Sequence, residues 1–203
     1  MQQNIIFDFG NVLVEWHPER VYADYYGDEA RAWWFLRHVA DGEWRNRIDA
    51  GESQDDCIAE LQRRHPDHGE AIALWRDRWD EMLTGEMPGM LALVRQLKAA
   101  GIPLYGLTNW SMETFPAARR RFPILQEIDR YVVSGAERLV KPDARLFRVL
   151  LDRYGLRAGE CIFVDDNADN VASAQRLGMT GIVFRGADAL RTELEKVLSI
   201  NIQ

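Results

Sequence analysis

The spacing of hydrophobic residues divides the chain into two kinds of segment. After residue 86, short apolar runs alternate with segments in which apolar residues recur every three or four positions, with Gly or Pro between them. Short apolar runs predict buried strands, and the helical spacing predicts amphipathic helices packed on them. Together with a first apolar run at residues 4–7, this alternation predicts an α/β fold with a parallel sheet covered on both faces.

Gly and Pro residues set the limits of the predicted elements in this part. Pro88 and Gly89 open a helical pattern that Gly101 closes, and Pro142 and Gly155 enclose another. The predicted strands are 102–107, 131–134, 161–164 and 181–184, and the predicted helices are 88–101, 113–121, 142–154, 169–177 and 187–198.

The segment between the first strand and this alternating part has a different pattern. Residues 15–86 lack strand signals and carry apolar residues at helical spacing, and Ser53 with Asp56 matches a capping box. This pattern predicts an all-helical insertion, or cap. Residues 1–14 and 87–203 would then form the core domain.

Six of the seven tryptophans lie in the predicted cap: Trp16, Trp33, Trp34, Trp44, Trp75 and Trp79. Large side chains that pack a thin helical layer are the favoured interpretation, and an aromatic ligand surface is the alternative. An aromatic-rich surface would also suit a homodimer contact. Trp16, Glu15 and Trp110 are the nearest candidates for substrate contacts.

Composition and charge narrow the class of protein. The chain has 203 residues, enough for one substantial domain with an insertion, and a formal net charge of −7. Without a broad basic field, a nucleic acid or an anionic membrane is not an expected partner. Cys57 and Cys161 lack metal-type spacing, so we expect two unpaired core thiols. No signal peptide and no apolar run long enough to span a bilayer are present, so we expect a cytoplasmic protein.

Polar residues stand where the predicted strands end. The first strand ends at Asp8, the second at Thr108-Asn109, and a later one at Asp165-Asp166, while Lys141 lies in a loop before a helix. In an open parallel sheet, ligands bind beyond the carboxyl ends of the strands. Each group alone is ordinary turn, capping or surface material. Their coincidence at one edge nevertheless predicts a site.

These groups suit a phosphate monoester bound with Mg²⁺. Asp8 can attack phosphorus as a carboxylate nucleophile, and the resulting aspartyl-phosphate is then hydrolysed. Mg²⁺ takes one or two carboxylates, so Asp8 with Asp165 or Asp166 would suffice. Thr108 can donate to a phosphoryl oxygen, and Lys141 can neutralise charge in the transition state.

Four motifs follow one another along the chain: Ile6-Phe7-Asp8-Phe9-Gly10-Asn11-Val12, Leu107-Thr108-Asn109, Val140-Lys141-Pro142 and the segment 163–170. In this order they resemble the four motifs of the haloacid dehalogenase superfamily. The chain is most similar to bacterial phosphatases with a small helical cap, including those that act on α-D-glucose 1-phosphate. The resemblance implies a Rossmann-like core, Mg²⁺ dependence and hydrolysis of small phosphorylated metabolites such as sugar phosphates.

The resemblance also implies a role for each site residue. Asp8 is the nucleophile and Lys141 the second catalytic residue. The phosphate ligands are Thr108, Asn109 and Lys141, and the metal ligands are Asp8, the backbone carbonyl of Gly10, Asp165 and Asp166. Within the acidic pair, Asp166 is favoured as the direct ligand and Asp165 as a close or water-mediated partner.

Gly10 departs from the pattern of most phosphatases in this superfamily. They carry an aspartate at this position, which protonates the leaving alcohol and then activates water, and glycine can do neither. General acid–base help is typically worth about 10²- to 10⁴-fold. Glu15 and His17 are the nearest substitutes in the sequence.

Three alternative functions follow from the same residues. A 2-haloacid dehalogenase would use Asp8 without a metal, but the pair Asp165-Asp166 would then leave several carboxylates without a balancing cation. A signalling receiver module gathers similar groups, but its acidic pair comes first and its lysine last. A catalytically weak phosphate-binding protein would bind Mg²⁺ and phosphate without turnover dependent on Asp8.

Overall fold

The computed structural model describes residues 3–200 and 202. Its strands, in chain order, are β1 (Asn4–Phe7), β2 (Val14–Trp16), β3 (Leu83–Glu86), β4 (Leu104–Thr108), β5 (Tyr131–Val133), β6 (Cys161–Asp165) and β7 (Thr180–Val183). Five of them form a parallel sheet in the order β5-β4-β1-β6-β7. The predicted α/β class and parallel sheet are therefore confirmed.

The helices fall into two groups along the chain. Those between β2 and β3 are α1 (Pro18–Tyr26), α2 (Glu29–His38), α3 (Gly42–Asp49), α4 (Gln54–Arg64) and α5 (Gly69–Asp77). Those that alternate with the sheet strands are α6 (Met90–Ala99), α7 (Phe115–Arg121), α8 (Pro123–Gln126), α9 (Ser134–Glu137), α10 (Ala144–Tyr154), α11 (Ala168–Arg176) and α12 (Ala187–Leu198). Among the helices of residues 3–200, none has the length and apolar character needed to cross a bilayer.

The central strand, β1, shows why the sheet strands appear in the sequence as continuous apolar runs. Ile5, Ile6 and Phe7 are all fully buried, because both faces of the sheet are covered by helices. Ile5 and Phe7 belong to a core that includes Leu93 of α6. Ile6 points to the opposite face and belongs to a second core that includes Phe147 of α10.

The cap helices enclose a third core of their own, built around residues such as Tyr22, Phe35 and Ile72. Two tryptophans, Trp16 and Trp79, pack against both this core and that of the sheet domain. The seam between cap and sheet domain is therefore aromatic.

The base of the cap contains strands that the sequence pattern did not predict. β2 and β3 pair antiparallel and close the insertion with a two-stranded sheet. They are only three and four residues long and half-buried, too short for an alternating pattern to stand out. The boundaries at 14/15 and 86/87 stay a prediction, and this small sheet lies at both.

Two cap tryptophans do not share the packing role expected for the group. Trp33 and Trp34 on α2 are 39% and 46% exposed, whereas Trp44 and Trp75 are buried. The homodimer contact expected from an aromatic cap stays a prediction. Cys57 and Cys161 are buried and unpaired, as expected.

Element ends differ from the predictions by local chemistry. β4 begins at Leu104 and not at 102, because Pro103 has no N–H for a strand ladder. Helix α10 begins at Ala144, because the side chain of Asp143 caps it by accepting a hydrogen bond from the N–H of Arg145. The four-residue helices α8 and α9 are too short to show a period in the sequence.

A close backbone contact docks the cap on the sheet domain, and it yields a first prediction. Gly51 follows α3 with φ of +87°, and a Cβ there would collide with the carbonyl oxygen of Gly135. Gly155 also has positive φ, but a Cβ there would meet nothing within 4 Å. In Gly155→Ala we expect only the left-handed strain of about 1–2 kcal/mol, a fall in Tm of roughly 2–8 °C. In Gly51→Ala we expect a larger fall, because the backbone must also shift. Thermal denaturation of both variants checks this, and equal losses would contradict the docking contact.

Candidate active site

The sheet order places three polar strand ends side by side. Asp8 follows β1, Thr108 ends β4 and Asp165 ends β6, and β1 lies between the other two strands. All three side chains are buried, at 8%, 1% and 0% exposure. The carboxyl edge of the sheet therefore holds the groups that the sequence predicted there.

Lys141 lies in the loop before α10 and connects two of these strand ends. Its Nζ is 2.8 Å from Asp8 Oδ1 and 2.7 Å from Asp165 Oδ2, and the residue is only 3% exposed. The Asn109 side chain holds the lysine by its backbone. Its Oδ1 accepts from Lys141 N at 2.7 Å, and its Nδ2 donates to Lys141 O at 3.1 Å. Asn109 thus fixes the backbone from which the lysine side chain extends, and the two carboxylates hold its ammonium group.

Asp165 and Asp166 have different surroundings. The Asp165 carboxylate accepts from Lys141, from the N–H of Asn167 at 2.8 Å and from Asn170 Nδ2 at 3.0 and 3.1 Å. Asp166 is half-buried, and its Oδ2 accepts a longer hydrogen bond of 3.4 Å from Asn11 Nδ2. Asp165 is engaged by protein donors on both oxygens, whereas Asp166 is more available to a ligand.

The charges at this edge do not balance. One carboxylate oxygen each of Asp8, Asp165 and Asp166 lie within 4.8 Å of one another, a group able to hold a metal ion. Burial raises the pKa of Asp8 to about 7, although Lys141 opposes the rise. Burial lowers the pKa of Lys141, but the two carboxylates outweigh burial and raise it, so the ammonium stays charged. Among the described residues, this group of three carboxyl groups is therefore contacted by one cation, which pairs with Asp8 and Asp165.

The Thr108 hydroxyl is the least satisfied group of the site. Its Oγ1 is buried and has no hydrogen-bond partner among the described residues. An unpaired buried hydroxyl is costly, of the order of 1–3 kcal/mol. A ligand oxygen at the sheet edge would remove this cost.

A cavity of about 190 Å³ opens between the sheet edge and the cap. Gly10 and Asn109 line it from the sheet domain, and Asp49 lines it from the cap. Four tryptophans supply apolar wall, namely Trp16, Trp75, Trp79 and Trp110. Cap tryptophans therefore pack the helical layer and also line the cavity, and their role as a ligand surface stays a prediction.

The two substitutes for a carboxylate at position 10 have other partners. Glu15 Oε2 accepts from Thr84 Oγ1 at 2.8 Å, and His17 Nδ1 lies 2.8 Å from Glu19 Oε1. Neither is among the residues described as lining the cavity. An ideal Cβ at Gly10 would meet nothing within 4 Å, so a side chain would have room there.

Three residues of the site were not found by the sequence reasoning. Asn170 orients Asp165 from the first turn of α11, and its spacing of five residues after a strand-ending aspartate was an available signal. Ser134 and Asp49 carry no such signal, because tertiary docking of the cap brings them to the site. The structure brings together all of the predicted site residues, and their individual roles stay predictions.

Comparison with known proteins places these features in a family. The family model for haloacid dehalogenase-like hydrolase matches residues 3–178. The chain is 28% identical to the sesquiterpene phosphatase astK of Aspergillus oryzae over 194 residues, 95% of each protein. It is 34% identical to hexitol phosphatase A of Escherichia coli over 165 residues, 79% of this chain and 65% of that protein.

A solved structure shares the fold. It is a HAD family enzyme from Bacteroides thetaiotaomicron in complex with magnesium and inorganic phosphate, with a TM-score of 0.69 and 16% identity. The alignment covers 92% of this chain and 96% of that one. At this identity, the likeness concerns the fold.

Proposed function

The chain belongs to the haloacid dehalogenase-like hydrolases, and on this premise we propose that it is a Mg²⁺-dependent phosphatase of small phosphomonoesters. The observation that carries the proposal is the cluster of Asp8, Asp165 and Asp166, with Lys141 as the one cation that contacts it within residues 3–200 and 202. Such a cluster suits a divalent cation and a phosphate dianion better than it suits a metal-free site.

The donor set at the sheet edge fits Mg²⁺. Carboxylate and carbonyl oxygens are the hard ligands that this ion prefers, and it usually takes only one or two carboxylates. We assign Asp8, the backbone carbonyl of Gly10 and Asp166 as ligands, with Asp165 behind them and paired to Lys141. When bound, the ion offsets the repulsion between an anionic nucleophile and an anionic substrate.

The contacts of Asp8 suit a nucleophile. Its Oδ1 accepts from the N–H of Phe9 at 2.6 Å and lies 2.8 Å from Lys141 Nζ, which leaves Oδ2 to attack phosphorus. The Thr108 hydroxyl and the Lys141 ammonium bind the phosphoryl oxygens. The aspartyl-phosphate formed on Asp8 is then hydrolysed by water, and closure of the cap excludes water during the first step.

The substrate is a small phosphorylated metabolite. The phosphatases matched above are named for a sesquiterpene and a hexitol substrate, which marks an alcohol leaving group as the common element. The tryptophan-lined cavity suits either a sugar face or an apolar chain. We also propose a cytoplasmic location, which the two buried free thiols support.

An activity panel with and without Mg²⁺ tests the proposal. It covers an aryl phosphate, hexose and hexitol phosphates and 2-chloropropionate. We expect phosphate release that falls to background after chelation with EDTA and returns when Mg²⁺ is added. We also expect Asp166→Asn to need a Mg²⁺ concentration at least ~10-fold higher for half-maximal activity, because it loses a ligand.

Halide release from 2-chloropropionate without metal would overturn the phosphatase proposal. It would favour the alternative of a 2-haloacid dehalogenase, which the absence of a carboxylate at Gly10 leaves open. Binding of Mg²⁺ and phosphate with no turnover of any ester would favour a binding protein.

A further inference from the structure

We propose that Asp49 of the cap is the general acid–base of this site, taking the part that Gly10 cannot play. Its carboxyl group would protonate the leaving oxygen and then accept a proton from the hydrolytic water. The inference rests on the proposed phosphatase function and adds a catalytic residue to it.

The position of Asp49 is the first support. It is the last residue of α3, and it lines the same cavity as Gly10 and Asn109. Asn109 directly follows Thr108, so a leaving group in this cavity would adjoin a phosphoryl group bound by Thr108 and Lys141. Asp49 lines the same cavity from the cap.

One hydroxyl fixes the backbone of Asp49 relative to the residues that follow β4. Ser134 Oγ donates to the carbonyl oxygen of Asp49 at 2.5 Å and accepts from the N–H of Trp110 at 2.8 Å. Trp110 follows Asn109 directly, and Ser134 is fully buried. The backbone of Asp49 is therefore held next to the residues that follow β4.

The surroundings of the Asp49 carboxylate suit proton transfer. Burial raises its pKa from 3.8 to about 7, although Arg45 and Lys141 both lower it. Arg45 Nη1 is used by main-chain carbonyls, those of Leu36 at 3.2 Å and Ala40 at 3.0 Å. No hydrogen bond or ion pair to the Asp49 carboxylate is found within the described part of the chain. A carboxyl group with these properties is present in both protonation states near neutral pH.

A second group in the cavity points to a polar leaving group. Gln54 is 4% exposed and lines the cavity, and its Nε2 has no partner among residues 3–200 and 202. Its backbone N–H is held by Glu113 Oε1 at 3.1 Å, so the residue is anchored to the sheet domain. An unpaired amide donor in the cavity that Asp49 also lines fits an oxygen-bearing leaving group.

The proposed reaction has two steps, and each includes one proton transfer at Asp49. An Asp8 oxygen bonds to phosphorus, the ester P–O bond breaks, and the departing oxygen takes the proton of the Asp49 carboxyl. Water then bonds to phosphorus and gives a proton to the Asp49 carboxylate, and the bond between phosphorus and Asp8 breaks. Alcohol and inorganic phosphate leave, and both carboxyl groups return to their starting states.

A leaving-group series tests the proposal in the full-length enzyme with Mg²⁺. The substrates are 4-nitrophenyl, phenyl and 4-methylphenyl phosphate, which have similar shapes but need protonation to different degrees. In Asp49→Asn we expect kcat/KM to fall at least ~10-fold further for phenyl phosphate than for 4-nitrophenyl phosphate. In the wild type, kcat/KM for phenyl phosphate should decline above about pH 7 as Asp49 loses its proton, and the variant should lack this decline.

Two further variants serve as a matched control and as a rescue of the lost activity. Asp56→Asn makes the same change on an exposed cap residue outside the cavity, and we expect wild-type behaviour on every substrate. Gly10→Asp added to Asp49→Asn should restore at least ~10-fold of the lost activity on phenyl phosphate, because position 10 has room for a side chain.

Equal losses on all three substrates, or no loss, would overturn the role of Asp49 while leaving the phosphatase proposal in place. A wild-type enzyme that releases no phosphate from any ester would overturn the proposed function itself. Thermal denaturation of Asp49→Asn, expected to give a Tm no lower than that of the wild type, separates a loss of chemistry from a loss of fold.

Discussion

Replacement of Asp8 with asparagine should abolish phosphate release from every substrate, by ~10⁴-fold or more, without loss of the fold. The amide has nearly the same shape as the carboxylate but no nucleophilic oxygen. Its contact with the N–H of Phe9 can persist, and Lys141 keeps its ion pair with Asp165 at 2.7 Å. Phosphate release and the phosphorylated state of the protein after mixing with substrate are the measurements.

The same variant should be at least as stable as the wild type at pH 8. Burial raises the pKa of Asp8 to about 7, so its charged form is disfavoured in the folded protein. The stability that the protonated group contributes is complete below its unfolded pKa, near 3.8, and is lost as pH rises through about 7. A neutral amide avoids that loss. Thermal denaturation at pH 5 and pH 8 should show the variant gaining on the wild type at the higher pH.

The matched control is Asp152→Asn, an exposed aspartate on α10, which should keep full activity. Turnover that survives Asp8→Asn would contradict the assignment of the nucleophile. A variant that is inactive and also unfolded at pH 8 would contradict the stability argument.

The strand ends were predictable from the sequence because they depend on short-range signals. Asp8, Thr108 and Asp165 each close a buried apolar run, and one rule of parallel sheets brings such ends together. The order of the strands then places them in adjacent positions. The type of fold and the members of the site follow from information that is local along the chain.

The roles of Asn109 and Asp49 were less predictable from the sequence, because these roles depend on tertiary contacts. The sequence predicts Asn109 as a phosphate ligand, whereas in the structure its side-chain amide holds the backbone of Lys141. Asp49 lies in a polar helix with no motif, and only docking of the cap through Ser134 brings it to the cavity. The sequence likewise does not show that Trp33 and Trp34 are exposed. In a small cap, the exposed face of a helix is decided by which neighbouring helices cover it.

Lys141 is both a predicted catalytic group and, in the part of the chain that the structure describes, the one cation that contacts the carboxylate cluster. Its charge is needed twice, once by the folded protein and once by the transition state. Replacement with methionine keeps the length and apolar stem of the side chain but removes the charge. Both stability and activity should therefore fall.

The expected loss in Lys141→Met is about 3–5 kcal/mol in the free energy of unfolding, because two buried carboxylates lose their partner. This corresponds to a fall in Tm of roughly 6–20 °C, with about 10²- to 10³-fold lower activity. The loss should be larger at pH 8 than at pH 5, where protonation of Asp8, whose pKa burial raises to about 7, removes one of the unpaired charges. Lys98→Met is the control: Lys98 is 2.7 Å from Glu127 but 40% exposed, so it should cost about 0–1 kcal/mol. Similar losses in the two variants would show that burial of the ion pairs has no bearing on stability, and a fully active Lys141→Met would exclude the lysine from transition-state stabilisation.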